Sequence, residues 1–322
     1  MPWEQVFTFT FLTAILTAGI RLAVPVLLAV LGEIITQLSG VMNLGLEGVM
    51  LVGALAGFAT TYSLEQATGS AELAAWIGLG AGLLAGAAMG LVMAWLSITC
   101  RADQVVAGIT LVLLGQSLTT YCYRAAPALA KVRISGLSPW PIPILSSVPV
   151  VGKILFDHSL AVYLSVALVP LIGWLLYRTS WGLQIRASGE HPEAVETSGL
   201  SVLRIRYACV LAGSALAGLG GAVLTVGQLN LFIEGVTAGR GWIAVALVYF
   251  SRWQPSVALA GALLFGIADA LQFRIQALGS ETLPYEFLLM LPYALTLLVL
   301  VGSRLRDRTP TVLGIPYIKG RR

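Results

Sequence analysis

The chain has 322 residues, of which 57% are hydrophobic and 11% charged, where a soluble domain carries about 25% charged residues. That balance excludes a soluble globular core, and a formal charge of +4 with no aromatic and basic stretch argues against nucleic-acid binding. Cys100, Cys122 and Cys209 are odd in number and widely spaced, so neither a disulfide framework nor a metal site is expected.

A spanning helix needs roughly 20 apolar residues, which leaves room for about ten membrane segments. The expected fold is therefore all-α: one transmembrane domain over residues 1–322, a polytopic helical bundle that includes broken or re-entrant helices. In chain order, apolar runs bounded by charge, Gly and Pro predict spans at 3–19, 22–38, 44–62, 73–99, 104–123, 159–178, 207–229, 238–251, 255–276 and 284–301. Only Arg21 divides the first pair, and because that first basic residue follows an apolar stretch rather than preceding it, the opening segment does not read as a cleavable signal. The 238–251 run is too short to cross about 30 Å of hydrocarbon and reads as half of a broken element.

With both termini on the cytoplasmic side, the inner segments hold twelve Lys and Arg and the outer segments seven, the asymmetry expected of an inner-membrane protein. Trp3, Trp76, Trp95, Trp174, Trp181 and Trp253 fall near span ends, as interfacial anchors do. The outer loop 124–158 carries Pro127, Pro139, Pro141, Pro143 and Pro149 and reads as an irregular cap. Within the inner loop 178–206, residues Ala187 to Gly199 read as a short helix. Pro192 suits a first helical turn, Glu193 and Glu196 favour the positive end of the helix dipole, and Gly199 is a terminator. Two readings stand for it: a helical turn lying on the protein's own inner face, or a knob for a cytoplasmic partner.

Gly78, Gly82, Gly86 and Gly90 recur every fourth residue, and Gly213, Ala217 and Gly221 form a second small-residue face; both read as seams where helix backbones approach closely. Ionisable residues at membrane depth need a reason, which applies to Glu33, Glu47, Asp269 and Glu286. Glu33 and Glu47 flank Ser39-Gly-Val-Met-Asn-Leu-Gly-Leu-Glu-Gly48, a polar interruption between apolar runs. It either lines a pathway or is held by interhelical hydrogen bonds. No phosphate-binding loop, no metalloprotease pair around His158 and His191, and no serine-hydrolase elbow is present, so no catalytic residues are expected.

Three stretches resemble the permease subunits of ABC importers for simple sugars and nucleosides, which are related to ribose and branched-chain amino acid permeases. They are Leu31-Gly-Glu-Ile with Ser39 to Ala54, Gly182 to Ala194 continuing to Gly199, and Gly239-Arg-Gly-Trp-Ile-Ala-Val-Ala246. The resemblance implies partners: a second homologous permease, a cytoplasmic ABC ATPase that binds ATP and Mg, and an extracytoplasmic solute-binding lipoprotein. This chain itself, embedded in membrane lipid, would bind no cofactor. It further implies that Ser188, Gly189, Glu190, His191, Pro192, Glu193, Glu196 and Gly199 belong to a coupling helix for the ATPase. Glu33, Asn43, Glu47, Gly239, Arg240, Trp242 and Asp269 are the candidates for the pathway or the broken helices. A nucleoside is the expected solute, with a simple sugar, a branched-chain amino acid or an ion-coupled secondary transporter as alternatives. One departure is Ser251-Arg-Trp-Gln-Pro255, where the family has a glycine before the tryptophan-proline turn.

Overall fold

The computed structural model of the chain describes residues 9–126, 132–143, 150–277 and 309–318, with positions 146, 148, 290 and 294 besides. The described residues are helical apart from turns and loops, with one isolated bridge between Pro139 and Ser159. Helix α1 spans Phe9–Leu38, α2 Leu46–Thr68, α3 Ala71–Ala94, and α4 Gln104–Ala125. After a short α5 at Val151–Leu155 come α6 (Leu160–Arg178), α7 (Ser180–Glu190), α8 (Pro192–Thr197), α9 (Val202–Leu224), α10 (Arg240–Ser251) and α11 (Pro255–Ala277). Helices α3 and α9 each end in a wider turn, at Trp95–Thr99 and Thr225–Leu229.

Among the described residues, seven helices are long and apolar enough to cross a membrane, a tighter figure than the expected count of about ten segments, which included the short 238–251 run and the 284–301 run. The expected break at Arg21 is absent, and 3–19 and 22–38 are replaced by one helix of 30 residues. A lone arginine is a good helix former and carries no turn signal, so the backbone runs through it. The 238–251 segment is short, as its length demanded: α10 has 12 residues. The 284–301 span and Glu286 lie outside the described residues.

Two faces follow from the loop contacts. At one face, Thr17 Oγ1 donates to Lys153 O, Ile134 N to Asn230 O, and Ser138 N to Glu72, gathering α5, the start of α3 and the 132–143 and 230–239 loops. At the other, Ser188 Oγ donates to Ser39 O and Gly314 N to Gly40 O, which gathers the 38–45 and 178–206 loops with the 309–318 segment. Helix α1 starts at the first face and ends at the second.

The centre of the bundle is α9, packed against α1, α2 and α3, with α11 against α1 and α4 against α2. Small residues set these distances. A Cβ on Gly82 or Gly86 would overlap α9 at Ala222 or Ser214, one on Gly90 would meet Ser214, and one on Gly78 would meet Thr61 and Gly57 of α2. Gly213 lies backbone to backbone with Gly32, and Gly221 with Met50. Such contacts replace the hydrophobic driving force that is missing between helices in lipid.

Candidate functional site

Two stretches of backbone between helices leave helical geometry and pack into the bundle, and polar side chains account for both. The first is 39–45, which turns back from the end of α1 into the bundle. Its amides find side-chain acceptors: Asn43 N donates to Glu33 Oε1 at 2.9 Å, Met42 N to Gln104 Oε1 at 2.7 Å, and Gly45 N to Asn43 Oδ1 at 2.9 Å. Asn43 Nδ2 then donates to Ser214 Oγ of α9 at 3.2 Å, and Glu33 Oε1 also accepts from Gln37 Nε2 at 2.9 Å. An unsatisfied amide in hydrocarbon costs several kcal/mol, so these residues supply what a continued helix would have supplied.

The second break is 230–239, ahead of α10. Glu47, in the first turn of α2, accepts from Thr237 Oγ1 at 2.6 Å and Gly239 N at 2.8 Å on one oxygen, and from Gly241 N at 2.7 Å on the other. The carboxyl group thereby caps the N-terminus of α10, where amides and helix dipole both favour it. Gly241 allows the approach, because a Cβ there would overlap the Glu47 backbone, and Gly239 has φ +81, a conformation that suits glycine. Arg240 turns the other way: its Nη2 meets Asp269 Oδ2 of α11 at 2.5 Å, with both side chains almost fully enclosed. Glu47 and Arg240 thus tie α10 to α2 and α11.

Of the sequence candidates, Glu33, Asn43, Glu47, Arg240 and Asp269 are buried and Gly239 is half-buried, in two adjoining knots. Trp242 is 43% exposed and joins neither. The knots also recruit residues that the sequence reading missed. Trp253, expected as an interfacial anchor, is buried and donates Nε1 to Gln37 Oε1 at 3.0 Å. This closes the departure at Ser251-Arg-Trp-Gln-Pro255, where Arg252 and Trp253 both take positive φ, 52° and 58°. Such a conformation is uncommon without glycine, and the buried indole fixes it here.

The 178–206 loop is a rigid elbow rather than one exposed helix. Helices α7 and α8 meet at His191, and Pro192 opens α8. The α7 side is locked down: Ser188 is buried with its hydroxyl on Ser39 O, and a Cβ on Gly189 would overlap Leu38 O. Pro192 and Val195 anchor α8 inward, while His191, Glu193, Ala194, Thr197 and Gly199 face out and Glu190 and Glu196 are half-buried. The 309–318 segment straps this joint. Val312 N donates to Gly189 O, Thr311 Oγ1 to Glu190 Oε2 at 2.5 Å, and Arg206 bridges Ile315 O and Ser188 O at 3.1 and 3.4 Å. Sequence reading counted Arg206 only as an inner-face charge, although it is among the largest fully enclosed side chains. Its spacing from Ser188 gave no signal of that contact.

At the opposite face, the Arg124 guanidinium forms two hydrogen bonds to Glu234 and holds that carboxyl below its usual range. His158 is buried there, its Nε2 2.8 Å from Ile154 O, and burial lowers its affinity for a proton. Among the described residues no group of His, Cys, Asp or Glu is placed to hold a metal.

A bundle of apolar spans, with helix breaks sealed by buried polar side chains and a braced elbow on one face, is the architecture of a polytopic membrane permease. Residues 15–300 match the family described as the permease component of the branched-chain amino acid transport system, and the chain belongs to that family. It is 42% identical over 274 residues to the putative glucose ABC transporter permease protein TsgC13 of Haloferax volcanii, covering 84% of this chain and 80% of the relative. It is 36% identical to the guanosine ABC transporter permease protein NupQ of Bacillus subtilis, over 97% of this chain and 98% of the relative. The nucleoside ABC transporter permease protein NupC of Lactococcus lactis is 31% identical over 92% of this chain and 94% of its own length. No solved structure matches. The chain is thus a multi-pass membrane permease of the sugar and nucleoside ABC type, with no enzymatic role indicated.

Proposed function

We propose that this chain is one of two homologous permease halves of an ATP-driven nucleoside importer, and that α8 is the handle by which a cytoplasmic ATPase moves it. The elbow is the observation that carries the reading. Its outward face is polar and short, while its root is clamped to the end of α1 through Gly189, Ser188 and Arg206. A push on α8 therefore reaches a core helix instead of dissipating in a loose loop. ATP and Mg belong to the partner ATPase. The elbow face is cytoplasmic, in a bacterial-type inner membrane, and the 124–158 face meets an extracytoplasmic solute-binding lipoprotein.

Two relatives named for guanosine and nucleoside transport match this chain nearly end to end, which supports a nucleoside as solute. Glucose is the second reading, favoured by the 42% identity to the protein named for it. The test is uptake of labelled guanosine and of labelled glucose by cells expressing this chain with its neighbouring transporter genes. Guanosine uptake that stops on Ala194→Arg, a change on the exposed face of α8, is the expected result. Glucose uptake without guanosine uptake establishes the second reading. Uptake by the chain alone in liposomes, driven by an ion gradient, overturns both.

A further inference from the structure

Two tryptophans mark where the membrane surface crosses the corner of α6 and α7. Trp174 and Trp181 are both exposed, and Leu183 continues their apolar rim onto α7. Indoles collect at the boundary between hydrocarbon and headgroups, so Tyr177 and Arg178, which lie between them in the chain, stand at headgroup depth on the elbow side. From that level an open groove of about 440 Å³ follows α6 past Tyr177, Gly173, Pro170 and Val169, with Gln254, Pro255 and Ser256 as its other wall. From Tyr177 back to Val169 the helix descends about 12 Å, most of the depth of one leaflet. Gly173 keeps the groove open, since a Cβ there would meet nothing within 4 Å.

Positive charge gathers at the mouth. Arg178 is exposed at the end of α6, and Arg252 stands on the turn between α10 and α11. The Arg186 guanidinium lies over the Tyr177 ring, 5.2 Å from its centroid, and the Tyr177 hydroxyl donates to Trp253 O at 2.8 Å, which fixes that ring. Arg186 Nε is enclosed with no hydrogen-bond partner, and neither described ion pair involves this residue. Glu190, one turn along α7, accepts from Thr311 instead. A guanidinium stacked on an aromatic face keeps its N–H edge for a planar or tetrahedral oxyanion.

We propose that this groove holds an acyl chain of an anionic phospholipid from the leaflet on the elbow side, and that Arg186 and Arg178 hold its phosphate. A water-soluble partner cannot reach walls that descend into hydrocarbon, and a free phosphate would leave those walls empty. The bound lipid joins α6 to the α10–α11 turn, and so stiffens the corner from which the elbow springs. The inference needs the spanning bundle alone, and neither the solute nor the ATPase.

The full chain is purified in dodecylmaltoside and melted, by intrinsic tryptophan fluorescence, with added dioleoylphosphatidylglycerol, dioleoylphosphatidylcholine or inorganic phosphate. At about a hundredfold excess over its Kd, phosphatidylglycerol should raise the melting temperature by about 5–10 °C, while the other two leave it unchanged. Arg186→Gln and Arg178→Gln should each lose most of that shift. Gly173→Leu, which fills the groove and suits a helix better than glycine, should abolish it. Arg204→Gln, the same loss of charge elsewhere on the elbow side, should keep it. Equal stabilisation by the two lipids, a shift from phosphate alone, an undiminished shift in Arg178→Gln, or an equal loss in Arg204→Gln overturns the proposal. Arg178 is exposed, so its variant keeps the test decisive where a change at Arg186 or Gly173 impairs folding. Melting is read without transport, so the result stands whichever solute the cells take up and whether or not the elbow binds an ATPase.

Discussion

The cap that Glu47 places on α10 is a quantitative test of how the breaks are held. In Glu47→Gln the side chain keeps its shape, and its remaining oxygen can still accept from Thr237 and Gly239. Its new amide group then faces the Gly241 N–H, donor against donor, where a 2.7 Å hydrogen bond had been. Losing that bond and leaving the buried amide unsatisfied costs about 2–3 kcal/mol. By the scaling for domains of a couple of hundred residues, this lowers the melting temperature by about 4–12 °C. Membrane proteins often unfold irreversibly, so variants should be compared by intrinsic tryptophan fluorescence in one detergent at one heating rate. Thr237→Val, which removes one bond and leaves no opposed donors, should cost about 1 kcal/mol, and Glu47→Ala, which strips all three, should lose more than Glu47→Gln. A Glu47→Gln protein that melts with the parent refutes the capping argument.

Gly189→Val should insert but fail to transport, since its side chain must displace the Leu38 carbonyl and lift the elbow off α1; wild-type uptake contradicts the clamp. Arg206→Met should loosen the 309–318 strap at Ile315, whose carbonyl loses the guanidinium that ties it to Ser188, and limited proteolysis near Ile315 should then speed up. His158 carries a pH prediction. Its folded-state affinity for protons lies below the ordinary value of 6.5, so the unfolded chain binds more protons as pH falls through 6.5. Thermal stability should therefore decline from pH 7 to pH 5, and His158→Gln should flatten that decline in a melting series.

What the sequence disclosed divides by the range of the interaction. Apolar runs announced the spans, and the shortness of the 238–251 run announced a broken element, because hydrocarbon thickness imposes both locally. The cost of charge at depth singled out Glu33, Glu47 and Asp269 by their positions within apolar runs alone. Their partners were illegible: Glu47 reaches Gly241, and Gln37 reaches Trp253, across spacings with no periodicity. Arg21 misled for a different reason. A single charge in an apolar stretch reads as a boundary, yet nothing in the backbone there favours a turn, and α1 carries on through it. The strap over the elbow left no mark either, since Thr309 to Ile318 looks like an ordinary tail until Arg206 is found beneath it.

The glycine seams have a mechanical consequence. Where main chains touch, as at Gly32 with Gly213 and Gly53 with Gly218, neither ridge has a compressible side chain to yield before the other. Sliding α1, α2, α3 and α9 past one another would open gaps that lipid cannot fill, so the subunit is built to tilt as a block. In the proposed pair of permeases, the give needed to admit and release cargo would then come from the joint between the two blocks, and stiffening that joint should arrest the cycle more completely than loosening any helix within one.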